Sequence, residues 1–146
     1  MKTVLGEHTT RSDEETMALA RALASEVERG DLVLLTGTLG AGKTVFVKGL
    51  ASGMGIDPVL VHSPTFTLVA DHHGPRRLGH VDLYRLEDSR EIEELGIDDL
   101  RDAGAIVAVE WGERIPVSMK PGAIIVTIEV IAPDDRRIVI QRPDDS

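Results

Sequence analysis

Apolar residues fall along the chain at two spacings, one near 3.6 residues and one of two, and the switches between them lay out the elements. Ser12 followed three residues later by Glu15 is a capping-box signature for a helix opening near Asp13. Met17, Ala20, Ala24 and Val27 then recur at helical spacing and predict one buried stripe, with Gly30 placed to end the helix. Leu32 to Leu35 are continuously apolar, the mark of a strand covered on both faces. A glycine-rich turn follows. From Lys43 to about Met54 the helical period returns: Phe46, Leu50 and Met54 share one side, and Gly49 and Gly53 permit close packing.

Thr65 to Ala70 and Leu78 to Tyr84 alternate between apolar and polar, and Gly74 and Pro75 between them predict an antiparallel hairpin. Residues 87–102 (EDSREIEELGIDDLRD) carry eight acids and two arginines and are expected as short helical pieces around Gly96. Ala105 to Val109 is a second fully apolar strand, ending in Glu110-Trp111; Ala123 to Val130 and Arg137 to Ile140 flank a turn at Pro133-Asp134-Asp135. Strand, helix and strand in alternation, then further strands, predict a single α/β domain over residues 1–146 with a mixed parallel and antiparallel sheet.

Composition narrows the function classes. A chain of 146 residues, 42% hydrophobic and 28% charged, suits one domain with its own core. The absence of cysteine excludes zinc ribbons and thiol chemistry and fits a reducing compartment. No apolar run approaches the roughly 18 residues of a membrane span, and MKTVLGEHTT has no stretch of signal-peptide length, so a cytoplasmic location without a membrane is expected. A net charge of −9 argues against wrapping nucleic acid directly, because that affinity comes largely from Lys and Arg on phosphates.

The strongest chemical signal is GTLGAGKT, Gly37 to Thr44, an ungapped G-x-x-x-x-G-K-[ST] between a buried strand and a helix. Polyphosphate needs many donors at short range, and successive backbone amides aimed by a helix N-terminus supply them. The expected phosphate cradle is Gly37, Leu39, Gly40, Ala41 and Gly42, with Lys43 reaching the phosphate oxygens and Thr44 placing its hydroxyl on Mg²⁺. Guanine-specific GTPases use an Asn-Lys-x-Asp segment, and this chain has no asparagine, so ATP is the favoured nucleotide. The D-x-x-G match at Asp71 lies in the hairpin turn.

Phosphoryl transfer leaves metal, water and charge to be positioned, so acids at strand ends are the candidates for hydrolysis. Glu110 ends a strand that can lie beside the glycine-rich loop, where it would hold Mg²⁺ or orient water; a surface glutamate is the plain alternative. In LGHVDLYR the period of two puts His80, Asp82 and Tyr84 on one face, which reads either as a site or as any half-solvated strand. Thr65, in HSPTFTL, sits where a switch segment is expected, or merely starts a strand. Trp111 covers the nucleotide, meets a partner or packs in the core. His72 and His73 read as solvated loop histidines, and the acidic run as a solvated face or one that attracts a basic protein.

GTLGAGKT, SPTFTLV, HVDLYRLED, IEELGIDD and VEWGERIP, in that order and spacing, resemble the TsaE family of bacterial tRNA threonylcarbamoyladenosine ATPases over about residues 10 to 130. The resemblance implies a P-loop NTPase-like three-layer α/β domain with a mixed sheet. It also implies slow ATP hydrolysis with Mg²⁺ in support of the TsaD and TsaB proteins, with tRNA contacted only through that complex. By motif match it assigns Lys43 and Thr44 to phosphate and magnesium, Thr65 to the switch, Asp82 to hydrolysis, Glu110 to magnesium, and Trp111 beside it. Val45 and Phe66 depart from residues common in the family without removing an assigned group. Two rivals share the loop: a small-molecule kinase, for which Arg76 and Arg77 would have to serve a lid, and a nucleotide-dependent binding module.

Overall fold

The apolar run at Leu32 becomes the middle strand of a seven-stranded sheet in the computed structural model, which describes residues 3–38, 40–62 and 68–143. The strands are β1 (Gly6–Thr10), β2 (Leu32–Gly37), β3 (Val69–His72), β4 (Leu78–Asp82), β5 (Ile106–Glu110), β6 (Ile124–Val130) and β7 (Arg136–Gln141). They lie in the order β1-β7-β6-β2-β5-β4-β3. β6, β2, β5 and β4 run parallel at the centre, and β3, β7 and β1 add antiparallel edges, so the sheet is mixed as its alternating segments predict.

Helices α1 (Asp13–Ala24) and α2 (Lys43–Gly53) cover one face of the sheet, burying Ala20, Leu23, Phe46 and Leu50 with Val33, Leu35 and Ile128. On the other face, α3 (Ser89–Glu93) and α4 (Ile97–Asp102) supply Ile92 and Ile97 to a second core with Leu34, Val81, Val107 and Val109. The result is three layers, and the acidic run forms the outer side of the third.

The capping box at the start of α1 is present with one shift. Ser12 Oγ accepts the Glu15 amide at 3.1 Å, while the Glu15 carboxylate accepts the amide of Arg11, one residue before the cap. The helix ends at Ala24 rather than near Gly30, capped by Ser25. Val27 is buried beyond it, and Gly30, at φ +87°, makes the turn into β2. The close approach expected at Gly49 is real: a Cβ there would lie 2.4 Å from the Met17 carbonyl and 2.7 Å from Ala20 Cβ.

β1 has no counterpart among the predicted elements. Its residues, GEHTT, are polar because it is an edge strand, and β7 supplies its antiparallel partner. Of the two readings left open for β4, the half-solvated strand does not hold: it is buried through Val81, because Leu78 packs in the core on one face and Val81 in the core on the other. Among the described residues no helix is long and apolar enough to cross a membrane.

Candidate functional site

The parallel strands β2 and β5 end together, with Leu35 paired to Glu110, and the loop to α2 opens above them. Gly37, Gly40 and Gly42 all have positive φ, which the curl of the loop demands. Gly37 also has no room for a side chain, since a Cβ would sit 2.6 Å from the Ile128 carbonyl. α2 starts at Lys43, and its first turn presents amides with no carbonyl one turn behind them, an anion-seeking arrangement. The Arg136 side chain braces the loop, its Nε donating to the Ala41 carbonyl at 2.9 Å.

Three side chains converge beneath the loop. Thr44 Oγ1 lies 3.0 and 2.9 Å from the two carboxylate oxygens of Glu110, and His80 Nε2 lies 2.5 Å from Glu110 Oε2. Both Glu110 and His80 are buried. Strand pairing sets this up: β4 runs parallel to β5 with Asp82 opposite Glu110 and His80 opposite Ala108, so His80 is the diagonal neighbour of Glu110 on the α2 face.

Lys43 is 5% exposed. Its ammonium donates to the carbonyls of Gly37 and Thr38 at 2.7 and 3.0 Å and stands 4.1 Å from the centre of the Trp111 ring. Burial pushes its pKa below the ordinary lysine value, against the upward pull of Glu110, Glu113 and Asp82. Trp111 follows β5 in the left-handed conformation (φ +60°), and Gly112 lets the chain turn hard against Leu34. Tyr84 stacks obliquely on the indole, ring centres 5.3 Å apart. Asp82 Oδ1 accepts the Tyr84 amide at 2.9 Å, which shapes the turn leaving β4.

These groups surround a cleft of about 490 Å³. Gly40, Gly42, Lys43, Thr44, Val45, Asp82, Tyr84, Arg85, Glu110 and Trp111 line it, so the residues singled out from three separate motifs meet in one place. Gly37 and Ala41 support the loop from behind. Leu39 and Thr65 lie outside the described residues. Chemically the cleft offers backbone amides and one ammonium to an anion, and hard oxygen donors from Thr44, Glu110 and Asp82 to a small divalent cation.

The model of the family described as threonylcarbamoyl adenosine biosynthesis protein TsaE matches residues 10–139. The chain belongs to the TsaE family. A tRNA threonylcarbamoyladenosine biosynthesis protein TsaE from Aquifex aeolicus is 40% identical over 141 residues, 95% of this chain and 98% of that one. One from Treponema pallidum is 36% identical over 131 residues, 90% of this chain and 96% of that one. Among solved structures, the crystal structure of Bacillus subtilis YdiB superposes with a TM-score of 0.70 at 32% identity, covering 90% of this chain and 81% of that one. TsaE membership ties the chain to tRNA threonylcarbamoyladenosine biosynthesis, and the matched segment includes the whole cleft.

Within this TsaE chain, several residues carry more than their sequence suggests. His80 shares its face with Asp82, as the alternation predicts, but nothing in the sequence announces a bond to a residue 30 positions away. Arg136 is invisible as a loop brace for the same reason. His72 is not a solvated loop residue: it ends β3, its Nε2 is buried, and burial lowers its pKa. His73 stays on the surface, 3.4 Å from Asp71. No group of three or more His, Asp or Glu among the described residues has metal-holding geometry by itself. Asp71 is bound bidentately by Arg77 at 3.0 and 2.6 Å, so its D-x-x-G match is a hairpin clasp.

Proposed function

We propose that this TsaE protein binds ATP with Mg²⁺ at the opening of α2 and hydrolyses it slowly. In this reading the hydrolysis cycle serves the TsaD and TsaB proteins as they threonylcarbamoylate the tRNA adenosine beside the anticodon. The observation that carries the reading is the meeting of Lys43, Thr44 and Glu110 under a loop whose glycines are all forced into positive φ. That combination of amides, ammonium, hydroxyl and carboxylate is what a triphosphate with a divalent cation needs, and little else calls for it.

The oxygen donors fit Mg²⁺, and Thr44 and Glu110 are the residues that would hold it. Once bound, Mg²⁺ neutralises phosphate charge. The α2 amides grip the phosphate tail. Lys43 leaves the Gly37 and Thr38 carbonyls for phosphate oxygens, and Trp111, freed of the ammonium, offers its ring to the ligand. Asp82, beside Glu110 at the rim, accepts a hydrogen bond from the attacking water. Thr65 is proposed as the switch residue that senses the γ-phosphate, so that ATP and ADP forms differ in what they present to the partner; a ligand with equal affinity for both forms would shift nothing.

A kinase lid finds no support in Arg76 and Arg77. Arg76 donates to the carbonyls of Ala24 and Val27, and Arg77 to Asp71, at the start of β4 and away from the cleft. The decisive experiment pairs calorimetric ATP titration with phosphate release. Lys43→Ala is expected to abolish hydrolysis, and Asp82→Ala to bind ATP while losing turnover by about 100-fold or more. Normal turnover by Asp82→Ala removes it from the site. Phosphorylated hydroxyl acceptors instead of free phosphate would establish the kinase.

A further inference from the structure

Five polar side chains are buried among the described residues: Thr10, Thr16, Lys43, His80 and Glu110. Thr10 and Thr16 satisfy each other at 2.7 Å, and Lys43 and Glu110 belong to the proposed site. His80 is left over. It is fully buried in the middle of β4, its register partners are the small residues Ala70 and Ala108, and its ring makes one bond, Nε2 to Glu110 Oε2 at 2.5 Å. Nδ1 is buried and has no hydrogen-bond partner among the described residues. Leaving a buried nitrogen unpaired is destabilising, so packing alone would favour an apolar residue here.

We infer that His80 is a positioning residue that fixes the rotation of the Glu110 carboxylate toward Thr44 and the cleft. The inference rests on the ATPase reading above. Thr44 has one hydroxyl proton and stands nearly equidistant from both carboxylate oxygens, so it does not select a rotation by itself. His80 does: its ring N–H donates to one oxygen alone, and it commits Oε2 from below. Oε1 is then free to turn its lone pairs to Thr44 and the cation. The two alanines beside His80 give the ring space to lean across to the next strand.

The test compares His80→Leu, which keeps bulk without a donor, with His80→Gln, which carries an N–H at similar reach. With no divalent cation present, both are expected to bind ATP within about threefold of the unaltered chain. His80→Leu is expected to lose about 10-fold or more in kcat and to weaken Mn²⁺ affinity, read by electron paramagnetic resonance with ADP present, by a similar factor; His80→Gln recovers both. Equal loss in the two variants marks a packing role and overturns the inference, as does full kcat in His80→Leu. Proton NMR of the unaltered chain gives a readout independent of variant folding and of hydrolysis: a solvent-protected imidazole Nε2–H resonance that disappears in Glu110→Ala. Its absence overturns the inference even if ATP binds, whereas failure to bind ATP with that resonance present defeats only the parent reading.

Discussion

Lys43 is charged in a place that resists charge. Burial lowers its pKa below 10.5, and the carboxylates of Glu110, Glu113 and Asp82 only partly restore it. The sign of the consequence follows from proton counting. Between the lowered native value and 10.5 the unfolded chain holds the extra proton, so the free protein gains stability as pH rises through that window. In the proposed ATP complex nucleotide would work in the other direction, because phosphate charges beside the ammonium would raise its pKa again. ATP binding at alkaline pH is therefore expected to take up protons, and affinity is expected to fall as pH rises through the lowered Lys43 pKa, below 10.5. Calorimetry in two buffers of different ionisation enthalpy measures the uptake. It should vanish in Lys43→Ala, and a flat affinity up to 10.5 contradicts the assignment.

Elements were legible in the sequence where one local rule decided them and illegible where a distant partner did. The apolar run of β2, the Ser12 cap and the glycine spacing of α2 are local, and each predicted its element. β1 is strand only because β7 pairs with it, so GEHTT gave no signal. α1 stops at Ala24 although the apolar spacing continues, and Arg76 arrives from the hairpin to satisfy carbonyls left over at its end, bonding those of Ala24 and Val27 at 2.5 and 2.7 Å. The α1–α2 contact shows the same logic in packing. An alanine at Gly49 gains about 1 kcal/mol of helix propensity in isolation. Here its methyl would meet the Met17 carbonyl at 2.4 Å and Ala20 Cβ at 2.7 Å, and overpacking of this kind costs about 1–3 kcal/mol or more. Gly49→Ala is expected to lower the urea midpoint with an unchanged m-value; a rise in the midpoint would mean that α1 moves aside freely.

At the scale of the whole molecule, the cleft was readable as separate motifs but its internal wiring was not, since the bonds from His80 to Glu110 and from Arg136 to Ala41 span 30 and 95 positions. The charge distribution was likewise visible only as a total. A net charge of −9 leaves open whether basic side chains cluster into a nucleic-acid surface. The structure shows where many of the guanidinium groups go: Arg76, Arg101, Arg114 and Arg136 bond backbone carbonyls, while Arg77, Arg137 and Arg142 pair with Asp71, Glu7 and Asp31. Those on carbonyls are committed to the fold, and those paired with acids have their charge locally neutralised, which weakens the counterion exchange that drives binding to phosphate backbones. Acidic α3 and α4 lie over the β4–β5 part of the sheet and would repel RNA approaching from that side. The chain alone is therefore expected to give no shift of tRNA in a native gel at about micromolar protein and physiological salt, and to join tRNA-bearing complexes only when TsaD and TsaB are added. A salt-sensitive complex with bare tRNA at nanomolar protein would mean that the basic side chains are less committed than their bonds indicate, and would replace the proposed action through TsaD and TsaB with a direct RNA contact.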